Sequence, residues 1–255
     1  MTDASFPTAA EASETTARPV LEIGRAWMMD RGSAAAGQAL GLEGPFGLWV
    51  VGRVGAMGSV SAEVAAAALG FMSPAMVASI WDARPAGLDP RDAAQAYADH
   101  AATWARGALA EVQPAVLDEC ADLVHRVNAA ALPSTGALFA GWRTMPVPDD
   151  PAGRAVMELQ VLRELRGGAH LAAVHAVGLG PHGAIMSFGD EVRGGVPGSE
   201  RFGWSEPHPV PDAQRRATAE ELTTSACAPA FEALDGPERA RLISLVLEVR
   251  SHIDI

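Results

Sequence analysis

Lysine is absent from this chain of 255 residues, and all 19 basic residues are arginines. The absence excludes Schiff-base chemistry and the lysine of an ordinary phosphate-binding loop. The 31 acidic residues leave a net charge of −12, which opposes binding to nucleic acid or to an anionic membrane unless the basic groups are clustered. The sequence shows no such cluster, so we do not expect DNA as a partner.

Cysteines and long apolar runs are also scarce. Cys120 and Cys227 are far apart, neither has a CxxC partner, and no secretory pattern precedes them. No apolar run reaches the ~18 residues of a membrane helix. These features predict a reduced cytoplasmic protein that does not enter a membrane, with residues 1–17 as a disordered leader.

The motifs of common cofactor and metal sites are missing as well. The chain has no GxSxG elbow and no paired DxD, and "GRVGAMG" lacks the spacing and context of a dinucleotide loop. His170 and His175 are five residues apart, which separates them by roughly 140° around a helix, unlike a metal-binding pair at i, i+4. We therefore predict no metal and no cofactor.

Helix-start signals are frequent along the chain. Proline follows Ser73, Asp89 and Asp150, Ser61 can cap the helix after it, and Thr218 with Glu221 matches a capping box. The sequence thus predicts a mainly α, multi-helical protein. The predicted helices cover 18–30, 32–41, 45–54, 61–71, 74–81, 90–110, 114–130, 151–165, 168–178, 218–232 and 237–250.

Proline and glycine divide the chain into two parts. "TMPVPDDP" (144–151) predicts a hinge between an N-terminal helical half, 18–143, and a C-terminal one, 151–255. Residues 190–212 are rich in Gly and Pro and are interpreted as a mobile lid or a linker. The short apolar runs 49–54 and 184–188 are compatible with either strand or helix.

Several segments together resemble a known family. They are "GRVGAMGSVSAEVAAAALGFMSPAMVA", "WRTMPVPDDP", "VLRELRGGAHLAAVHAVGL" and the "GW-SE" pattern near 203–206. The chain resembles, from about residue 20 to its end, an actinobacterial SalK-type helix-turn-helix-like family that is distantly similar to MarR-type winged-helix regulators. The resemblance implies two pseudo-related helical halves with a degenerate winged-helix-like element.

The chain departs from the family pattern at two places. The family's central motif reads roughly L-R-E-H-R-G-D-G-H, and this chain replaces three of its residues with Leu165, Gly168 and Ala169. After "GWSE" the chain has prolines at 207, 209 and 211, which exclude a recognition helix over 205–212. The resemblance therefore implies an inherited fold in which DNA recognition is lost.

The motif residues Arg163, Glu164 and Arg166 have two interpretations. Because the pair Gly167–Gly168 is expected to separate two helices, they could form an ion pair between those helices. Alternatively, Glu164 and His170 face a pocket as catalytic base and acid, with Arg163 anchoring an anionic group.

Other residues are candidates for binding a ligand. Arg53 lies in an otherwise apolar run, at a position that is usually arginine in the family, and needs a carboxylate, a helix end or a ligand if it is buried. Trp49, Met57 and Trp142 are bulky residues among alanines and glycines, and they either fill the core or frame an apolar pocket. His175 is a further candidate, because it could replace the histidine that the family motif has where this chain has Leu165.

Two classes of function follow. The first is a protein that binds a small hydrophobic or anionic metabolite, extending to a cofactor-independent isomerase, cyclase or hydrolase of actinobacterial specialised metabolism. The alternative is a MarR-like, ligand-responsive transcriptional regulator, acting as a homodimer. The second class requires a basic face and a recognition helix, and the sequence argues against both.

Overall fold

The computed structural model describes residues 6–188 and 198–254, and their regular structure is helical. It consists of thirteen α-helices and one 3-10 helix, and no strand occurs in these two ranges. The helices are α1 Ala9–Met28, α2 Arg31–Ala39, α3 Gly47–Gly55, α4 Ala62–Leu69, α5 Pro74–Asp82, α6 Pro90–Ala108, α7 Pro114–Ala130, α8 Ala137–Trp142, α9 Pro151–Ala176, α10 Gly180–Phe188, α11 Gly198–Arg201, α12 Ala213–Phe231 and α13 Gly236–Ser251, with the 3-10 helix at Pro133–Thr135. The mainly α, multi-helical fold is confirmed.

Most helices begin where the sequence places a cap. Ser61, Ser73, Asp89 and Asp150 each accept a hydrogen bond from a backbone amide in the first turn of the helix that follows. These side chains satisfy amide groups that have no partner inside the helix, which explains why the predicted starts of α4, α5, α6 and α9 are nearly correct.

The N-terminus differs from the prediction. Helix α1 begins at Ala9, where Thr8 and Glu11 form a capping box, so residues 9–17 are helical and not a disordered leader. Helix α1 packs against α9, α12 and α13, which buries one side of it. Tertiary packing therefore stabilises a segment that looks unstructured by composition.

The expected break at Gly167–Gly168 is also wrong, because α9 runs without interruption to Ala176. A Cβ atom added at Gly168 would lie 2.6 Å from the carbonyl oxygen of Thr135 and 2.9 Å from the Cα of Gly136. This glycine serves close packing of α9 against the segment before α8, and it does not end the helix.

Three smaller expectations are corrected. The predicted capping box at Thr218 lies inside α12, whose cap is Asp212. The runs 49–54 and 184–188 belong to α3 and α10 and are not extended. Of the predicted lid or linker, residues 190–197 lie outside the described residues, 198–201 form α11, and 205–212 contain no helix, as the prolines predict.

Helix α9 is the central element of the fold. It packs against α1, α6, α7, α8 and α12, and its first four turns are almost completely buried. One apolar cluster draws residues from α1 to α9 and from α12 and α13. The proposed division into two halves stays a prediction, but residues 144–150 do connect α8 to α9 without helix.

Within residues 6–188 and 198–254, no single helix is long and apolar enough to span a membrane. Helices α9 and α10 have the necessary length and hydropathy only together, and they are bent by 105° relative to each other.

Candidate functional site

A buried ion pair joins α3 to the centre of α9. The Arg53 guanidinium donates from Nε to Glu164 Oε1 at 3.0 Å and from Nη2 to Glu164 Oε2 at 2.9 Å. The Arg53 side chain is 8% exposed and that of Glu164 is 2% exposed. The two parallel hydrogen bonds form the bidentate geometry in which an arginine binds a carboxylate most strongly.

Two further side chains of α9 approach the same carboxylate. Gln160, one turn earlier, donates from Nε2 to Glu164 Oε1 at 2.6 Å. Arg163 reaches Glu164 Oε1 with Nη1 at 3.3 Å, and its side chain is 17% exposed. A Cβ atom at Gly24 of α1 would lie 2.6 Å from Arg163 Cδ, so a glycine at this position makes room for the arginine. We call Arg53, Arg163, Glu164 and Gln160 the arginine centre.

The arginine centre contains two guanidinium groups and one carboxylate. Burial alone would raise the pKa of Glu164, but the two arginines and the hydrogen bonds from Arg53 and Gln160 outweigh it and hold the pKa below its ordinary value. Burial, together with the charge of Arg53, lowers the pKa of Arg163 to about 10. At neutral pH the centre therefore keeps one positive charge in excess, in a place where charge is poorly solvated.

Buried polar atoms around this centre lack partners. Within the described ranges, Arg163 Nε, Gln160 Oε1 and the Tyr97 hydroxyl are buried and make no hydrogen bond. Tyr97 belongs to α6, and its pKa is raised by burial in spite of the nearby arginines. Since buried polar groups are normally paired, such atoms at one centre need an explanation.

The predicted aromatic residues surround Arg53. Its guanidinium carbon lies 4.6 Å from the ring centroid of Trp49, and its carbonyl oxygen accepts a hydrogen bond of 3.1 Å from Trp142 Nε1. Trp142 is fully buried, whereas Met57 is half-buried and packs against the same core. The structure thus brings Trp49, Trp142, Arg53 and Glu164 together, and it gives Met57 no direct polar role.

His170 belongs to a different cluster, between α9 and α12. Its Nδ1 lies 2.9 Å from Thr223 Oγ1, and its ring stacks on Phe71 with centroids 5.6 Å apart. Its Nε2 is 3.9 Å from Glu220, a carboxylate that also pairs with Arg166. Burial lowers the pKa of His170. We call Arg166, His170, Glu220 and Thr223 the His170 cluster.

The structure does not place all candidate histidines at one site. Among the described residues no hydrogen bond or ion pair joins Glu164 to His170, and His175 is exposed near the end of α9. His182 Nε2 lies 3.0 Å from His208 Nδ1, on the other side of the break after α9. Whether Glu164 and His170 act as a base and an acid stays a prediction, and it requires a ligand that reaches both places.

Sequence reasoning missed two members of the site. Gln160 is one helical turn before Glu164, so its spacing could have indicated it. Tyr97 is the single tyrosine of the chain, but it lies on α6, and no local pattern connects it to α9.

The surface elsewhere presents a pair of short helices, α4 and α5. They pack against each other and are joined by four residues, Gly70–Ser73, with Gly70 at a φ of +54°. Two short helices joined by a tight turn that contains glycine are typical of a helix-turn-helix. Helices α9 and α10 are also joined by a short break, but α9 is largely buried.

A family model described as a helix-turn-helix family matches residues 13–254, nearly the whole chain. The chain belongs to this helix-turn-helix family. No curated protein and no solved structure matches it.

In this member of the helix-turn-helix family, the α4–α5 pair has an unusual composition. Its helices read "AEVAAAAL" and "PAMVASIWD", which contain no Arg, Lys, His, Asn or Gln. The two charged side chains, Glu63 and Asp82, are acidic and exposed.

Proposed function

We propose that this protein binds a small molecule through an anionic group at the arginine centre. The observation that carries the proposal is the pairing of two guanidinium groups, that of buried Arg53 and that of largely buried Arg163, with one buried carboxylate. An anionic ligand would neutralise the excess charge of Arg163 and accept a hydrogen bond from its unpartnered Nε. The ligand class is a small carboxylate or phosphate.

The state of Glu164 favours binding over proton transfer. Its lowered pKa makes it a carboxylate at neutral pH, and Arg53 and Gln160 already occupy its oxygens. A general base works best with a pKa near the working pH and with a free oxygen. We infer that Glu164 positions the two arginines, and an enzymatic step, for which a cofactor-independent isomerisation, cyclisation or hydrolysis is the candidate, would use other groups.

The surface of α4 and α5 supports a role other than reading DNA. Specific base contacts come mainly from Arg, Lys, Asn and Gln, and neither helix has any of them. Glu63 and Asp82 would repel phosphates, and the net charge of −12 has the same effect at longer range. The regulator alternative, with its MarR-like dimer, is favoured by family membership alone.

Thermal unfolding at constant ionic strength tests the proposal. Acetate, benzoate and phosphate are titrated against the wild type, Arg163→Met and the matched control Arg166→Met, whose arginine pairs with Glu220 in the His170 cluster. A ligand at 100 times its Kd stabilises the native state by about 2.7 kcal/mol, and for a chain of this size we expect a Tm increase of about 5 °C.

The expected result is a saturable increase in the wild type and in Arg166→Met that is lost in Arg163→Met. An equal response of all three proteins to each anion would reflect general salt effects and would contradict the proposal.

Retention on heparin tests the regulator alternative. We expect elution at low salt, because the described surface of α4 and α5 carries no basic side chain. Elution only at high salt would favour the regulator.

A further inference from the structure

Residues 202–204, which we call the strap, cross the turn between α4 and α5. The Ser73 amide donates a hydrogen bond of 2.8 Å to the Phe202 carbonyl oxygen. In return, Trp204 Nε1 donates one of 2.9 Å to the Phe71 carbonyl oxygen. Two backbone groups of the turn are therefore bound by a segment about 130 residues further along the chain.

The strap also covers the first turn of α5. Gly203 has a φ of +78°, and a Cβ atom there would lie 2.5 Å from Ser73 Oγ and 2.7 Å from Met76 Cβ. In helix-turn-helix proteins that read DNA, the first residues of the second helix contact base edges. In this chain the first residues of α5 contact the strap.

On its other side the strap covers the aromatic residues beside the arginine centre. The ring of Phe202 stacks on Trp49, with centroids 6.4 Å apart and planes 15° from parallel. Trp49 is 9% exposed and lies over the Arg53 guanidinium. The Trp49 ring therefore lies between the ring of Phe202 and the guanidinium of Arg53.

A histidine pair holds the far end of the strap. The ring of His182 in α10 stacks on Trp204, with centroids 4.7 Å apart. His182 Nε2 also lies 3.0 Å from His208 Nδ1. The strap is attached by a few hydrogen bonds and ring contacts, and Gly203 and Ser205 to Pro207 are exposed.

We infer that α4 and α5 form the helix-turn-helix of this chain, that the turn between them holds the strap in place, and that the strap is the gate of the arginine centre. Release of Phe202–Trp204 from the turn uncovers Trp49, and displacement of the freed Trp49 ring then gives a ligand access to Arg53. The same movement exposes the start of α5, so access to the centre and exposure of the helix-turn-helix are one event. The access step rests on the proposed function, whereas the seating of the strap does not.

Two variants release the strap in different ways. Gly203→Ala brings a methyl group into collision with Ser73 and Met76, and its matched control is Gly44→Ala, because Gly44 has a similar φ of +73° and no atom within 4 Å of the added Cβ. Trp204→Phe removes the hydrogen bond to Phe71 and part of the ring surface, and it keeps a smaller ring against His182. Trp204→Phe tests the release of the strap if Gly203→Ala fails to fold.

Amide hydrogen exchange at Ser73 reports the seating directly, because this amide is bound to the strap. We expect exchange to accelerate roughly tenfold or more in Gly203→Ala and about fivefold in Trp204→Phe, with Gly44→Ala close to the wild type. Unchanged exchange in both strap variants would overturn the seating.

Labelling of Arg53 by phenylglyoxal, followed by mass spectrometry, reports access without any ligand. Faster labelling of Arg53 in the strap variants, with Arg126 as an exposed internal reference, is expected if the strap is the gate. Faster exchange at Ser73 without faster labelling of Arg53 would overturn the gate. Anion binding is measured separately, so a failed anion titration with a positive labelling result would contradict the proposed ligand and not the gate.

Discussion

The arginine centre and the His170 cluster both draw residues from α9, and both contain arginine and glutamate; the first is completed by Arg53 of α3 and the second by Glu220 and Thr223 of α12. In the first, Glu164 is 2% exposed and pairs with two arginines. In the second, Glu220 is 36% exposed and pairs with Arg166 and lies near His170. Along α9, Gly167 and Gly168 lie between Glu164 of the arginine centre and His170 of the His170 cluster.

The difference lies in solvation. A buried ion that loses its partner keeps its charge without water around it, whereas a partly exposed ion recovers much of its hydration. We therefore expect changes in the arginine centre to be costly and changes in the His170 cluster to be mild. The unpaired excess charge also makes the arginine centre the better candidate for a ligand.

The largest effect is expected from removing the buried carboxylate. Glu164→Gln leaves Arg53 and Arg163 buried without a counter-charge and should lower the free energy of unfolding by about 3–5 kcal/mol. The matched change Glu220→Gln should cost about 1 kcal/mol or less. Urea unfolding at pH 7 measures both, and similar losses in the two variants would remove the contrast.

The two arginines of the centre should differ. Arg53→Met leaves Glu164 without its bidentate partner and should cost about 3–5 kcal/mol. Arg163 makes one long contact, and its pKa is lowered to about 10, so the fold disfavours its charge. Arg163→Met should therefore keep or raise the stability, by up to about 1 kcal/mol. A large loss in Arg163→Met would show that Arg163 is structural.

The two glycines between Glu164 and His170 provide a smaller test. A methyl group at Gly168 would collide with Thr135 and Gly136, so Gly168→Ala should cost about 1–3 kcal/mol. At Gly167 the nearest side-chain atom to an added Cβ would be Glu164 Oε2 at 3.9 Å, and alanine favours helix by about 1 kcal/mol over glycine. Gly167→Ala should thus be neutral or stabilising, as thermal unfolding of the two variants will show.

The smallest effect is a difference in acid sensitivity. Both Glu164 and His170 have lowered pKa values in the fold. The contribution of His170 is complete above its unfolded pKa of about 6.5 and is lost as the pH falls below that value, whereas that of Glu164 is lost only below about 4.3. Between pH 7.5 and 5.5 the wild type should lose slightly more stability than His170→Gln. Equal losses would mean that burial does not disfavour the His170 cation.

The helices were predictable from sequence wherever a local signal sets them. Asp150 followed by proline correctly predicts the start of α9, because capping depends on neighbours in sequence. The leader and the break at Gly167–Gly168 were mispredicted. Helix α1 is stabilised by helices that are distant in sequence, and Gly168 allows α9 to pack closely against the segment before α8.

The residues of the site were predictable from the sequence, but the contacts between them were less so. Arg53 in an apolar run and Glu164 in the central motif were identified one by one, and the ion pair between them spans 111 residues. The motif residues predicted an ion pair between two helices on either side of Gly167–Gly168, but these two helices are one. The arginine that pairs with Glu164 most directly is Arg53 of α3. Tyr97 and Phe202 could not be foreseen, because only the packing of α6 and the strap brings them there.

Nitrogen-15 NMR of the arginine side chains tests whether the arginine centre binds an anion. Phosphate is titrated at constant ionic strength while the Nε–H signals of Arg163 and Arg166 are followed, both assigned through their methionine variants. We expect a saturable shift of the Arg163 signal, because its Nε gains an acceptor, and little change at Arg166. An unmoved Arg163 signal, or a linear drift shared by both arginines, would contradict an anion site at the arginine centre.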